Sequence, residues 1–293
     1  MSLRGLKYRL EYGLFRLLAG VAERLPLETA SQLSGWLWRH IAPALARHQR
    51  AVTHLRRAFP DKSEQDIERI ARDMWENLGR VFAEGFHLQE IVQSGRIVFD
   101  NLDELKALGL DKTSLIACAA HLANWEIGVQ IVHQLGGEPM GIYRRLKNPF
   151  VDAYIHSMRA PFYPGELLPS DSSTGLKAAR HLKSGGSLAL LADLRDRHGL
   201  LIHFFDQPAY ASTFPALLGR KLGRQILAVQ VIREAGVRFR ITGHVIAIPH
   251  TANVEADMKQ ATIALQAKLE EFIRQTPEQW MWAHRRWEPS KSP

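Results

Sequence analysis

A histidine and a glutamate five residues apart, His121 and Glu126, follow a run of small and aliphatic residues, Ser114-Leu115-Ile116-Ala117-Cys118-Ala119-Ala120. The run reads as a buried strand, and the segment from residue 124 to 135 reads as the helix after it. In open α/β sheets the C-terminal edge of such a strand is where ligands bind. An imidazole there lies near the positive end of the next helix, which disfavours its cation and keeps a neutral base available. Glu126, in the first helical turn, is placed to point back at the ring, fix its tautomer and stabilise the cation formed when the ring takes a proton. Such a pair can strip a hydroxyl of its proton as the oxygen attacks an activated acyl carbon, with no covalent enzyme intermediate. The plain alternative is a structural histidine followed by a glutamate that the helix dipole favours.

Other chemistries find less support. Cys118 sits inside the strand between alanines and reads as a small core residue rather than a nucleophile. There is no G-x-S-x-G elbow, no G-x-x-x-x-G-K-[ST] loop and no G-x-G-x-x-G turn, so a serine hydrolase or a nucleotide site has no motif behind it. His198 with His203, and His244 with His250, lack the spacing and companion ligands of a metal site, so neither metal nor cofactor is expected. The arginines of the 47–57 segment come with no recognised nucleic-acid module, and no nucleic-acid partner is expected.

The elements that must position His121 belong to a chain of 293 residues carrying 38 Lys+Arg against 30 Asp+Glu, a formal charge of +8. With 46% hydrophobic and 23% charged residues it is a folding sequence, and its single Cys excludes a disulfide framework. From Gly95 onward, short runs rich in β-branched residues (97–99, 114–120, 140–143, 187–192, 226–232, 237–248) alternate with helical segments (101–108, 124–135, 148–160, 174–183, 213–223, 254–275). The alternation predicts an α/β fold whose central, mostly parallel sheet is flanked by helices, turning antiparallel near residues 226–248. Residues 1–90 read as a helical, membrane-associating extension and residues 91–293 as the α/β domain, the two expected to form one continuous structural unit. Ser63-Glu64-Gln65-Asp66 resembles a capping box that opens a helix running to about His87. Near the start, Leu3, Leu6, Leu10, Leu14, Leu17 and Val21 recur at helical spacing with Arg4, Lys7, Arg9 and Arg16 between them. That pattern fits a helix lying in an anionic membrane surface, with Tyr8, Tyr12, Trp36 and Trp38 nearby, or an ordinary helix packing its stripe on the core. No charge-free stretch reaches the ~18–20 apolar residues of a span, and Glu11 and Arg16 interrupt the early apolar segment against a secretory signal.

His121-Leu-Ala-Asn-Trp-Glu126 resembles the H-x-x-x-x-[DE] signature of glycerolipid acyltransferases. Its N-W-E-[IL]-G form is similar to the late lauroyl/myristoyl acyltransferases of lipid A biosynthesis in Gram-negative bacteria. Further blocks agree in order: Met140-Gly141-Ile142-Tyr143-Arg144 with Asn148-Pro149, Leu191-Ala192-Asp193, and His203-Phe204-Phe205 with Ala211-Ser212-Thr213 and Gly219-Arg220-Lys221. The tail Pro277-Glu278-Gln279-Trp280-Met281-Trp282-Ala283-His284-Arg285-Arg286-Trp287 resembles the family's long P-E-Q-[YW]-x-W-x-H-R-R-[FW] run. The chain departs from the pattern at Leu194, where Gln is usual, at Phe214-Pro215, and in the charged loop Arg195-Asp196-Arg197. These departures bear on the acceptor and the acyl chain length.

The resemblance implies acyl transfer from an acyl carrier protein to a hydroxyl of a lipid A precursor, at the cytoplasmic face of the inner membrane. His121 would be the base and Glu126 its orienting partner. Arg144 would hold the anionic acceptor, with Arg145, Asn124 and Asp193 as further substrate-binding or site-shaping residues. A pI near 9.7 suits an acidic carrier, an anionic precursor and an anionic membrane surface. Basic clusters at Arg144-Arg145-Lys147, Arg195/Arg197, Arg220-Lys221/Arg224 and Arg285-Arg286 are candidates to meet them. Two alternatives remain: another glycolipid acceptor (such as a phosphatidylinositol mannoside) or an acyl-CoA donor, and a non-catalytic basic protein on an anionic surface.

Overall fold

A computed structural model describes residues 3–287. The side chain of Leu3, first in the N-terminal stripe, and residues 288–293, the end of the expected α/β domain, lie outside the described set. Five helices come first: α1 (Leu3–Arg24), α2 (Leu27–Ile41), α3 (Ala46–Ala58), α4 (Glu64–Glu84) and α5 (Leu88–Gln93). The Ser63 side chain accepts from Asp66 N at 3.1 Å, so α4 opens on the cap that the sequence marks. Along α4, Ile67, Ile70, Ala71, Met74 and Trp75 are buried. With α3 residues Val52 and Leu55 they join the same apolar cluster as sheet residues Ile116, Cys118 and Leu188. Between α2 and α4 the backbones come close because Gly79 has no side chain: a Cβ there would lie 2.5 Å from Ser34 O.

The remaining elements are β1 (Ile97–Phe99), α6 (Leu102–Ala107), β2 (Leu115–Ala119), α7 (Gln130–Gln134), β3 (Pro139–Tyr143), α8 (Pro149–Arg159), β4 (Leu167–Pro169), α9 (Thr174–Lys183), β5 (Ser187–Leu191), β6 (Arg195–Phe204), β7 (Gln207–Ala211), α10 (Phe214–Leu222), β8 (Gln225–Arg233), β9 (Phe239–Ile246) and α11 (Val254–Gln275). Seven strands form one sheet in the order β1-β9-β8-β2-β5-β3-β4, parallel except where β8 meets β9. Strand β2 lies between β8 and β5 with every residue buried, which is why it reads as an unbroken apolar run rather than an alternating one.

Three features differ from the sequence expectation. The helix expected over 124–135 is a single 3₁₀ turn, Trp125–Ile127, followed by the five-residue α7. Strand β4 has only three residues, too short to give a periodic signal. Strands β6 and β7 form a separate antiparallel hairpin closed by Phe205 and Asp206, both at positive φ (53° and 58°). Its charged first residues and a turn without Asn-Gly hide it from pattern reading.

The N-terminal stripe does not pack on the core. Leu6, Leu10, Leu14, Leu17 and Val21 are exposed, Leu10 by 67%, and Leu33, Trp36, Leu37 and Ile41 of α2 add to the uncovered apolar surface. The other side of α1 rests on α8, where Phe15 meets Tyr154 edge-on at 5.4 Å and Tyr12 meets Phe150 at 5.8 Å. Among the described residues, no helix is long and apolar enough to cross a membrane.

Candidate active site

Strand register brings the two central side chains together. Ala119 at the end of β2 is the partner of Leu191 at the end of β5, so His121 and Asp193 each stand two residues beyond matched positions on neighbouring parallel strands. His121 Nδ1 lies 2.8 Å from Asp193 Oδ1, and the His121 backbone N–H donates to Oδ2 at 2.9 Å. Trp280 Nε1–H donates to the same Oδ2 at 2.7 Å. Asp193 is fully buried. Burial pushes its carboxyl up, but His121 bonded to it and His284 nearby more than reverse this and hold it well below the usual carboxylate range. An ionised carboxylate only accepts, so Nδ1 carries the hydrogen, and in the neutral ring the lone pair sits on Nε2. The His121 carbonyl accepts from Met281 N at 3.1 Å, and Ala123 N donates to Gln279 O at 3.0 Å, so the 279–281 segment straps the loop that carries the base.

Glu126 does not orient the imidazole. Its backbone N–H is held by Asn124 Oδ1 at 3.2 Å, and the resulting turn directs the carboxylate to Trp125 Nε1 (2.9 Å) and to Arg159 of α8. A nearby guanidinium outcompetes a neutral ring for that charge, while Asp193 already occupies Nδ1. Because no long helix follows His121, the helix-dipole argument also falls away. Asn124 is fully buried: its Nδ2 donates to Glu84 Oε2 at 2.9 Å, so it shapes the loop and does not meet a ligand. Asp193 likewise lies behind the ring as its partner rather than on the substrate side. Arg145 turns to the Tyr143 hydroxyl and lines neither of the two cavities that meet here. Arg144 lines both, with no hydrogen bond or ion pair to another described residue.

The smaller cavity, about 340 Å³, includes His121 in its wall and runs along one face of the sheet over Ala117, Ala119, Ala189 and Val229. The larger, about 960 Å³, lies between the N-terminal helices and the sheet edge. Phe15, Phe82, Phe86 and Met158 make part of its wall apolar, while Arg47, Arg195 and Arg197 are among its basic lining. Trp125, Glu126, Arg144, Arg159, Leu194 and Met281 belong to both walls. Two compartments therefore share a wall beside the cavity that His121 lines, one mainly aliphatic and one apolar with a basic part. Arg195 Nη1 is buried without a partner among the described residues. Of the other basic clusters, Arg285 lines the larger cavity, whereas Arg220 bonds Asp257 at 2.7 Å, Arg224 bonds Leu182 O at 3.1 Å, and fully buried Arg286 bonds Tyr210 O and Gln266.

The model of the bacterial lipid A biosynthesis acyltransferases matches residues 2–289. The chain belongs to that family. A lipid A biosynthesis acyltransferase of Haemophilus influenzae is 25% identical over 279 residues, covering 91% of this chain and 82% of that protein. The chain is thus an acyltransferase with an α/β fold. Two residues at the acyltransferase's candidate site escaped the sequence reading as site residues. Arg159 lies on a helix with no motif of its own, and only its position opposite Glu126 distinguishes it. His284 lies in the tail; its ring centroid is 6.4 Å from that of His121, and its Nδ1–H donates to the Met281 carbonyl. Burial pushes its imidazole down to about 4, which keeps it neutral at pH 7. The pairing of Asp193 with His121 had a partial signal in the sequence: two predicted strands, 114–120 and 187–192, each followed at once by a titratable side chain.

Proposed function

We propose that this acyltransferase moves a fatty acyl chain from the thioester of an acyl carrier protein to a hydroxyl of a lipid A precursor, working at the cytoplasmic face of the inner membrane. The observation that carries the reading is that the cavity lined by His121 adjoins the larger one across Trp125, Glu126, Arg144, Arg159, Leu194 and Met281, because a two-substrate transfer needs a place for the acyl chain and a place for an anionic lipid within reach of one base. The aliphatic cavity takes the chain. Its depth along the sheet face limits the length of chain it accepts. The larger cavity takes the acceptor, its hydrocarbon against Phe15, Phe82 and Phe86 and its phosphates or carboxylates against Arg47, Arg195 and Arg197.

His121 Nε2 takes the hydroxyl proton as the oxygen attacks the thioester carbonyl carbon. Asp193 stabilises the imidazolium through Nδ1–H. Arg159, steadied by Glu126, and Arg144 stand where negative charge grows on the carbonyl oxygen. When the C–S bond breaks, the leaving sulfur takes the proton from His121, which restores the base and leaves an ester and a free carrier thiol. The exposed leucines of α1 and the flanking cations seat the protein on the anionic membrane, bringing the acceptor within reach.

The test is to incubate the protein in anionic vesicles with a Kdo-bearing lipid A precursor and acyl carrier proteins loaded with chains of different length, then weigh the products. A precursor heavier by one acyl group is expected, with one chain length preferred over shorter and longer ones. Product only from acyl-CoA, or only on another glycolipid, would move the assignment within the reaction class. Salt-sensitive membrane binding without product under any donor would replace it with the binder reading.

A further inference from the structure

The loop after His121 is held in place from outside the sheet. Ala123 adopts a φ of 49°, in the left-handed region that an L-residue occupies only when its surroundings enforce it. Two side chains of α4, seven residues apart and so on one helix face, do the enforcing. Asn77 Nδ2 donates to Ala123 O at 3.3 Å and to Gln279 O at 3.1 Å. Glu84, fully buried, receives Asn124 Nδ2 on Oε2 at 2.9 Å, and Asn124 Oδ1 in turn receives Glu126 N–H. Arg233, at the end of β8, grips both oxygens of Glu84, Nη1 to Oε1 at 2.5 Å and Nη2 to Oε2 at 2.9 Å, and reaches Asn77 Oδ1 through Nε at 3.1 Å. Ser31 of α2 donates to Oε1 at 2.7 Å. Every hydrogen-bonding group on Glu84 is used, and one of its bonds fixes which way the Asn124 amide faces.

We infer that Glu84 is a positioning residue for acyl transfer: from α4 it sets the Asn124 amide and, through it, the 122–126 loop that joins His121 to Glu126. The inference rests on the proposed role of His121 as base. It explains why a negative charge stands in the interior, where a plain packing contact needs none. The carboxylate matches three separate donors, Asn124, Arg233 and Ser31, which no neutral side chain of that size can do. It also ties two helices of the N-terminal layer, one of them with an uncovered apolar face, to the loop at the strand end.

The experiment compares Glu84→Gln, the double variant Glu84→Gln/Asn124→Asp, and His121→Ala with the unaltered full-length protein. In Glu84→Gln the amide NH₂ faces an Arg233 N–H whichever way it turns, and turned towards Asn124 it meets that amide's NH₂ as well, so the clamp that holds the Asn124 amide is weakened. The expected loss in kcat is on the order of 100-fold, the scale of a misplacement by about 1 Å, with KM for donor and acceptor within about twofold. Asn124→Asp added to it restores a donor–acceptor match with the roles exchanged and the charge retained, and should recover about tenfold or more of the lost kcat. Melting temperatures are read in parallel, and assays run well below them. If Glu84→Gln does not fold, Asn124→Ala keeps the Glu84–Arg233 pair and should show the same kcat loss at constant KM. A folded Glu84→Gln with unaltered kcat overturns the inference, as does a loss that merely follows the unfolded fraction or a double variant no better than the single one. An active His121→Ala would instead bring down the underlying mechanism, so the two failures are distinguishable.

Discussion

Asp193→Asn exchanges one oxygen of the carboxylate for an NH₂ group, and the bonds around it dictate the outcome. The Oδ2 position faces two donors, His121 N–H at 2.9 Å and Trp280 Nε1–H at 2.7 Å, whereas the Oδ1 position faces only His121 Nδ1 at 2.8 Å. Placing the remaining oxygen at the two-donor position keeps the larger number of bonds, a preference of about 1 kcal/mol. The NH₂ then points at Nδ1, which must accept, and the ring's hydrogen moves to Nε2. The ring keeps its place but no longer presents a lone pair to the hydroxyl. A base locked in the wrong tautomer costs ~10³–10⁴ in kcat, or about 4–5.5 kcal/mol of transition-state stabilisation. KM should hardly change, because the lost interaction belongs to the transition state. The assay follows acyl transfer by product mass under saturating donor and acceptor, with a melting curve to establish folding. A folded Asp193→Asn turning over within about tenfold of the unaltered enzyme would refute the tautomer argument.

Other consequences follow from the same geometry. Ala189→Leu adds three carbons to the aliphatic cavity wall, removing ~90 Å³, and should shorten the preferred donor chain by about three carbons in a competition among carrier-bound chains. Leu10→Asp with Leu14→Asp, on side chains 67% and 61% exposed, should weaken vesicle binding by ~2–3 kcal/mol, read by co-sedimentation, while the melting temperature barely moves. His284 is held down to about 4 in the folded state, below the ordinary histidine value, so the unfolded chain takes its proton first. Stability should therefore fall as pH drops from about 6.5 towards 4, by up to ~3 kcal/mol. His284→Leu should flatten that part of the pH dependence in urea titrations.

Much of the fold was legible because its core strands obey simple rules. Strand β2 is buried on both faces and therefore continuous in apolar residues, and β8 and β9 follow each other too closely to be anything but antiparallel. The hairpin of β6 and β7 was not legible, since Phe205 and Asp206 form its turn at positive φ without glycine and Phe205 is held there by burial among aromatic residues. His121 was legible from its place at a strand end. Its partner was read wrongly because sequence nearness favoured Glu126, whereas sheet register, a property of two strands 72 residues apart, delivers Asp193. Asn124 carried a motif whose reason is internal, since it links Glu84 to the turn. Arg159 and Arg233 carry no local pattern, and only three-dimensional proximity to buried carboxylates gives them meaning.

The central claim is that the Nε2 lone pair of His121 removes the proton of the attacking hydroxyl. The most direct measurement is single-turnover transfer by His121→Ala from a carrier-bound acyl chain to a lipid A precursor, with donor binding checked on the same sample. The account predicts intact binding and folding with a rate lower by ~10³-fold or more. Transfer at close to the unaltered rate would contradict it.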